Sequence, residues 1–259
     1  MRAWIAVLSL WVAAPASADP CKDAEPALRK IALELSAFDA HAGAAAVTCG
    51  FHGPDAQAIA KLVAEATAVA KTEQVATPWQ SCIASPGGKT FGVLVGDLEG
   101  FAGERLTAAK AACSGQPAPA DPGCDPMERW IRDLSIGVEH TATSAGDLAV
   151  TCALTGGHDA AVTDLATAIR TAIASAIKTD PSKQSSCHRT TTTLTSLLTD
   201  ELGAAAKRVG YTFSMCSTKV RARLGELAKR GPITSDAAAA DPAIKAELEA
   251  FSQSLVPSD

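Results

Sequence analysis

The sequence predicts an all-α protein, built as two tandem disulfide-braced three-helix (up-down-up) bundles plus a C-terminal helix. Eight cysteines fall into two sets of four, spaced by 28, 33 and 31 residues in the first set and by 28, 35 and 29 in the second. Apolar residues recur at steps of three and four, which is the period of an amphipathic helix. No segment shows sustained two-residue alternation, so we expect no sheet.

The two sets of cysteines belong to a longer register of 103 residues. Residues 46–49 and 149–152 share the sequence Ala-Val-Thr-Cys, and further matched pairs are Glu25 and Glu128, Arg29 and Arg132, Gly43 and Gly146, Asp97 and Asp200, and Arg105 and Arg208. Such a register predicts an internal duplication. We expect a first repeat over residues 19–113, a linker over 114–123, a second repeat over 124–230 and a tail over 231–259.

Residues 1–18 have the pattern of a signal peptide. Arg2 precedes an apolar run over residues 3–14, and the small residues Ala16, Ser17 and Ala18 follow where a signal peptidase cleaves. Export places the chain in an oxidising space, where eight cysteines are expected to form four disulfides. No later stretch is apolar and long enough to span a bilayer. We therefore predict a secreted or periplasmic protein.

The first helix of each repeat runs between its first two cysteines. Its apolar seam is Leu28, Ile31, Leu35, Phe38, Ala42, Ala45 and Cys49 in the first copy, and Met127, Ile131, Leu134, Val138, Thr141, Ala145, Leu148 and Cys152 in the second. An interval of 28 helical residues spans about 42 Å, so these two cysteines cannot pair with each other. In the second copy, Asp125 is the predicted N-cap, followed by Pro126 and Glu128.

The second and third helices follow glycine and proline breaks. The second seam is Ile59, Leu62, Ala66 and Val69 in one copy, and Val162, Leu165, Ile169 and Ile173 in the other. The third is Phe91, Leu94, Val95, Leu98, Ala102, Leu106 and Cys113, mirrored by Leu194, Leu197, Leu198, Leu202, Ala205, Val209 and Cys216. Three helices joined by short turns run up, down and up.

This topology places the four cysteines of a repeat alternately at opposite ends of the bundle. Only one of the three possible connectivities joins cysteines at the same end. We therefore predict disulfides Cys21 to Cys82, Cys49 to Cys113, Cys124 to Cys187 and Cys152 to Cys216. Whether the two bundles touch is left open by the sequence.

The residues after Cys216, including the predicted tail, have no counterpart in the first repeat. The seam after Cys216 continues through Val220, Leu224 and Leu227 as far as Gly231, and a last helix begins at Asp241. Its apolar stripe favours packing as a cap on the second bundle, with a partner-binding face as the alternative. The basic residues Lys219, Arg221, Arg223, Lys229 and Arg230 predict a solvated helix face more than a site for an anionic surface, because acids such as Glu226 lie among them.

Motifs for chemistry are weak in this chain. Gly87, Gly88, Lys89 and Thr90 resemble the end of a phosphate-binding loop, but Ile83 stands where that motif needs glycine. A turn followed by a helix-starting threonine explains them better. Thr190, Thr191, Thr192, Thr193, Thr195 and Thr199 indicate a frayed helix start, with a glycan-accepting or ligand-facing stripe as the alternative.

The five histidines do not predict a metal site. His41, His52, His140, His158 and His188 occupy different positions of the repeat, and none has a glutamate three residues before it. No HExxH or CxxCH pattern occurs. We therefore predict no catalytic, cofactor-binding or metal-ligating residue and no cofactor.

Charge and motifs together favour a binding or structural protein. Without Arg2 the chain has 22 basic and 28 acidic residues, a net charge of −6, which disfavours nucleic acid as a partner. We expect an exported, non-enzymatic helical-repeat protein of a bacterial envelope or secretome, with a protein, glycan or lipid partner. The alternatives are a carrier of a small apolar ligand or lipid within a bundle, and an enzyme whose site combines scattered acids and histidines, such as Asp97 with Asp200.

Overall fold

The computed structural model describes residues 21, 24–76, 81–82, 90–114, 124–177, 194–231, 233 and 235–256. Within these ranges the chain is helical and forms no β-strand, as predicted. The helices are α1 (Ala24–His52), α2 (Ala56–Ala76), α3 (Phe91–Cys113), α4 (Asp125–Thr155), α5 (Asp159–Ile177), α6 (Leu194–Cys216), α7 (Thr218–Ala228), α8 (Ser235–Ala240) and α9 (Pro242–Ser254). We call α1–α3 the first unit, α4–α6 the second unit and α7–α9 the tail.

Residues of the predicted apolar seams supply much of the buried core in both units. Ile31 and Cys49 in α1, Leu94 and Leu98 in α3, and Ile131 in α4 are at most 1 % exposed. Burial of each of these leucine and isoleucine side chains contributes about 1.5 to 3 kcal/mol. Packing of these stripes, more than intrinsic helix propensity, therefore holds the helices in place.

Local signals set the helix ends. The backbone of Gly53 after α1 and of Gly156 after α4 has a positive φ, at 87° and 120°, which glycine adopts without steric cost. Thr90 caps α3 by accepting a hydrogen bond from the Val93 amide at 3.3 Å, as predicted. The predicted N-cap Asp125 is wrong by one residue. Asp125 is the first residue of α4 and Cys124 precedes it as N-cap.

Three of the four predicted disulfides are confirmed. Their Cα atoms are 5.6 Å apart for Cys21–Cys82, 4.8 Å for Cys49–Cys113 and 5.0 Å for Cys152–Cys216. Cys124 is disulfide-bonded as well, and its predicted partner Cys187 lies outside the described residues. Each confirmed bridge closes a loop of 61 or 64 residues, which stabilises the fold by about 4 kcal/mol in the chain-entropy model.

The two units pack against each other through α1 and α4, which run antiparallel. Arg29 near the start of α1 donates to Thr151 Oγ1 near the end of α4, at 3.1 Å. At the opposite end, the imidazole of His52 lies 3.0 Å from the carboxylate of Glu128 and also contacts Arg132. Arg29 and Arg132 are matched residues, so the same kind of contact occurs once in each direction, as across a two-fold axis.

Helices α3 and α6 also run antiparallel and meet on one side of the α1–α4 pair. Glu104 pairs with Lys207 at 2.6 Å, and the Tyr211 hydroxyl donates to Asp97 at 3.0 Å. Glu104 and Lys207 are themselves 103 residues apart. Equivalent residues can touch each other only close to a two-fold axis, so an approximate axis passes between α3 and α6. The helices α1, α3, α4 and α6 therefore surround a common centre.

The tail packs on the second unit. The ring of Phe251 stacks on Phe213 with centroids 4.0 Å apart, and Ile244 and Leu255 are buried. The seam predicted to continue past Cys216 is interrupted at Ser217, whose extended backbone (φ −62°, ψ 120°) starts α7 with a serine cap on Val220. The predicted last helix is present as α9, and α8 precedes it. No helix in the described ranges has both the length and the hydropathy that crossing a membrane requires.

Candidate functional site

The histidines that the structure describes each contact a nearby polar side chain. Within the described ranges, no three His, Cys, Asp or Glu side chains come together as metal ligands. The histidine contacts not yet given are His41 with Glu65 at 2.9 Å, His140 with Ser144 at 3.2 Å and His158 with Thr155 at 3.1 Å. His188 lies outside the described residues, as do residues 87–89 and 190–193.

The basic residues after Cys216 hold the tail and the end of α4. Lys219 pairs with Glu247 at 3.1 Å, and the guanidinium of Arg221 donates to the Cys152 carbonyl at 2.8 Å. Arg223 binds Asp241 at 2.7 Å, and this hydrogen bond lowers the pKa of the Asp241 carboxyl to about 2. Three of the five basic residues are therefore engaged in packing contacts.

The strongest concentration of charge lies at the centre of the four helices. It consists of Asp39 on α1, Arg105 on α3, Glu139 on α4, and Glu201 and Arg208 on α6, which we call the charge cluster. The side chains of Asp39, Arg105, Glu201 and Arg208 are only 2–8 % exposed. A charged group this deep costs several kcal/mol unless it is paired.

Two matched glycines make room for the cluster. A Cβ atom on Gly43 would overlap the Arg105 guanidinium, and one on Gly146 would overlap the hydroxyl of Ser36. Any larger residue at either position would displace a buried polar side chain. The glycine pair is therefore explained by close approach within the interface, since both residues are helical and neither has a positive φ.

The ion pairs of the cluster cross between the units. Arg105 of the first unit makes a two-pronged hydrogen bond with Glu201 of the second. Arg208 of the second unit has its Nη2 atom 2.9 Å from Oδ1 of Asp39 in the first, and Arg105 Nε lies 4.0 Å from the same oxygen. The four buried charges thus balance, and each unit supplies one acid and one base.

The two arginines are matched in sequence but differ in their partners. The residue 103 positions before Glu201 is Leu98, which is fully buried and offers no carboxylate to Arg208. Arg208 instead places its Cζ atom 4.8 Å from the ring centroid of Phe101, within the range of a cation–π contact.

The pKa directions follow from these partners. Burial raises the pKa of Asp39 more than Arg208 and Arg105 lower it, and burial likewise lowers the pKa of Arg208. For Arg105, the hydrogen bond and charge of Glu201 outweigh burial and raise the pKa. Burial and the nearby Glu201 charge raise the pKa of Glu139 to about 7, although Ser135 donates to it at 3.2 Å.

A second polar contact borders the cluster. Burial raises the pKa of Tyr211, and its acceptor Asp97 adds to the shift. The Tyr211 ring also meets Phe101 edge-on at 5.4 Å. Asp200, the matched partner of Asp97, is exposed. The contacts of Asp97 therefore describe a packing role within the interface.

No family model, curated protein or solved structure matches this chain. Only the arrangement of its side chains therefore bears on a possible activity. Perturbed pKa values occur at active sites but also in structural ion-pair networks. A general acid or base must come within hydrogen-bond reach of a substrate, whereas four of the five cluster residues are closed off from solvent.

The sequence pattern did not identify the charge cluster. The register found Arg105 with Arg208 and Gly43 with Gly146, but it gave no signal for the acids. Their matched positions hold Ala142 for Asp39, Ser36 for Glu139 and Leu98 for Glu201. One signal for a buried acid is a charged residue that adjoins the apolar seam, as Asp39 does directly after Phe38.

Proposed function

We propose that the chain is an exported, non-enzymatic helical-repeat protein, whose two units act as one block in a bacterial envelope or secretome. The observation that carries this proposal is the charge cluster. Its ion pairs join the units internally, so the residues best suited to chemistry serve the interface. The outer helix surfaces are left to bind a protein, glycan or lipid.

The signal-like residues 1–18 and the disulfides support export. Disulfides persist in oxidising compartments and are rare in the cytosol. The disulfides add stability to a chain whose helices pack through small residues. Ala42, Ala145 and Ala149 are fully buried, and each removes little apolar area from water. Such a braced block would keep its shape outside the cell.

The alternative of an apolar carrier, with its ligand within a bundle, is not supported by the centre between the two units. A carrier needs an apolar space between helices, and the centre enclosed by α1, α3, α4 and α6 holds Arg105, Glu201 and Arg208 instead. We therefore keep the binding or structural role as the proposal.

The test is capture of a partner by the disulfide-intact mature chain, with the reduced and alkylated chain as the control for folding. Envelope, periplasmic and medium fractions of the source cells are compared by cross-linking and mass spectrometry. We expect one partner class that depends on the intact disulfides. Absence of any bound protein, glycan or lipid in all fractions would count against the proposal, as would a catalytic activity that is lost in a folded Arg105→Met, Glu201→Leu double variant.

A further inference from the structure

Several buried polar atoms in the charge cluster and in the adjacent Ser36 have no hydrogen-bond partner. Among the residues that the structure describes, these atoms are Ser36 Oγ, Asp39 Oδ1, Arg105 Nε, Arg208 Nη1 and Arg208 Nη2. Ser36 is fully buried, and Asp39 and Arg208 are 3 % and 2 % exposed. Buried polar groups are almost always satisfied by protein or by ordered water.

Two of these side chains, Ser36 and Arg208, lie beside Gly146, and Asp39 lies next to Arg208. Both Ser36 Oγ and Arg208 Nη1 lie within 3.5 Å of the point that a Cβ on Gly146 would occupy. Arg208 Nη2 lies 2.9 Å from Asp39 Oδ1, but the pair does not meet hydrogen-bond geometry, since both atoms stay unsatisfied. The hydroxyl, the carboxylate and the guanidinium therefore border one small region.

The chemistry of this region selects its ligand. An anion would be attracted by Arg208 but repelled by Asp39. A cation would be attracted by Asp39 but repelled by Arg208. Burial, together with nearby like charges, outweighs the opposite charges at both groups, because the pKa of Asp39 is raised and that of Arg208 is lowered. A neutral ligand that accepts from the guanidinium and donates to the carboxylate relieves both.

The geometry points to a buried water site at Gly146, formed by Ser36, Asp39 and Arg208, which bridges the first unit to the second. Water is neutral and both donates and accepts hydrogen bonds, which is what these unpaired groups require. The inference does not depend on the proposed partner-binding function, because it concerns only the interior of the interface.

The matched region beside Gly43 provides an internal contrast. There both Nη atoms of Arg105 donate hydrogen bonds to the carboxylate of Glu201. A Cβ atom on Gly43 would contact that ion pair directly. We therefore expect ordered water on the Gly146 side and a direct ion pair on the Gly43 side.

The first test is a high-resolution crystal structure of the mature, disulfide-intact chain. We expect a density peak at hydrogen-bond distance from Ser36 Oγ and from an Arg208 Nη atom or Asp39 Oδ1. Crystals soaked in sodium bromide should show no anomalous signal there. A bromide peak would overturn the water assignment in favour of an anion site, and direct pairing of these side chains without a peak would overturn the site itself.

The second test works in solution and uses a matched pair of variants. Oxygen-17 magnetic relaxation dispersion counts water molecules with long residence times. Ser36→Ala should lose one such water, whereas Thr212→Val should lose none, because the buried Thr212 hydroxyl already donates to the Ala145 carbonyl at 2.8 Å. An unchanged count in a folded Ser36→Ala variant would contradict the site, and so would an equal loss in Thr212→Val.

Discussion

The outer faces of the two units differ although their frames are alike. Phe213 on α6 stacks on Phe251 of the tail, while the matched residue of the first unit is the exposed Lys110. Leu202 lies in the apolar cluster that also contains the tail residue Leu255, and its match in the first unit is Glu99, which is exposed. The covered face is apolar and the uncovered face is polar, so the matched positions of the two units differ according to what contacts them.

The inner faces differ for another reason. Near the approximate two-fold axis each residue meets its own counterpart, so identical charges would repel. Glu104 and Lys207 are such a pair and have opposite charges. Arg105 and Arg208 have the same charge, and each of the acids Asp39 and Glu201 has no acidic counterpart at its matched position. The charges of the interface therefore balance because matched positions in the two units hold different residues.

The largest expected effect comes from removing one partner of the better-paired arginine. Glu201→Leu leaves Arg105 buried without its carboxylate, which should lower the free energy of unfolding by about 3 to 5 kcal/mol. Chemical denaturation of the disulfide-intact chain measures it. Adding Arg105→Met should recover most of the loss, because no unpaired charge then remains. If the double variant is no more stable than Glu201→Leu, the ion pair is not the cause.

The next effect concerns the covered face. Phe251→Ala removes the ring that stacks on Phe213 and should cost about 2 to 3 kcal/mol, somewhat less than full burial because Phe251 is only partly buried. Lys110→Ala on the uncovered face is the control and should stay within about 0.5 kcal/mol of the parent. Hydrogen exchange should locate the loss in α9 and α6. A loss spread equally over α2 and α3 would contradict the assignment of the tail to the second unit.

A pH dependence should follow from Glu139. Its folded pKa of about 7 exceeds the unfolded value of about 4.3, so the folded state binds more protons between these values. The free energy of unfolding should therefore fall by about 1 to 2 kcal/mol from pH 4.5 to pH 7.5, discounted for partial exposure. The pKa of Asp39 is also raised, chiefly by burial, so its titration changes the free energy of unfolding in the same direction.

The variant Glu139→Gln isolates the part that belongs to Glu139. Urea denaturation at a series of pH values should show a shallower fall than in the parent chain. Equal slopes in the two proteins would show that Glu139 does not titrate in this range.

The smallest expected effect tests whether Glu104 and Lys207 meet at the approximate two-fold axis. Lys207→Glu places two acids against each other at an exposed position and should cost about 0.5 to 1 kcal/mol at low salt. The exchanged pair Glu104→Lys with Lys207→Glu should restore the stability, since the contact is symmetric in position. Thermal unfolding at low and at high salt measures both variants. A persistent loss in the exchanged pair would argue against direct contact between these residues.

Much of the fold could be predicted because its determinants are local or covalent. Seams such as Leu94 to Leu98 follow helical period, and the cysteine pairing follows from reach. The interface could not be predicted in this way. Asp39 contacts residues far along the chain, and the sequence around Asp39 does not indicate that Arg208 is its partner. The matched glycines Gly43 and Gly146 marked the interface, yet only the packing of α1 against α4 shows which side chains they accommodate.

The central claim is that the charge cluster joins the two units into one cooperative block. Hydrogen exchange of the intact chain with and without Glu201→Leu tests it most directly, because this change lies only in the second unit. We predict that amides around Gly43 in α1 and around Arg208 in α6 both exchange at least about tenfold faster in the variant. Acceleration confined to α4, α5 and α6, with α1 unchanged, would contradict the claim.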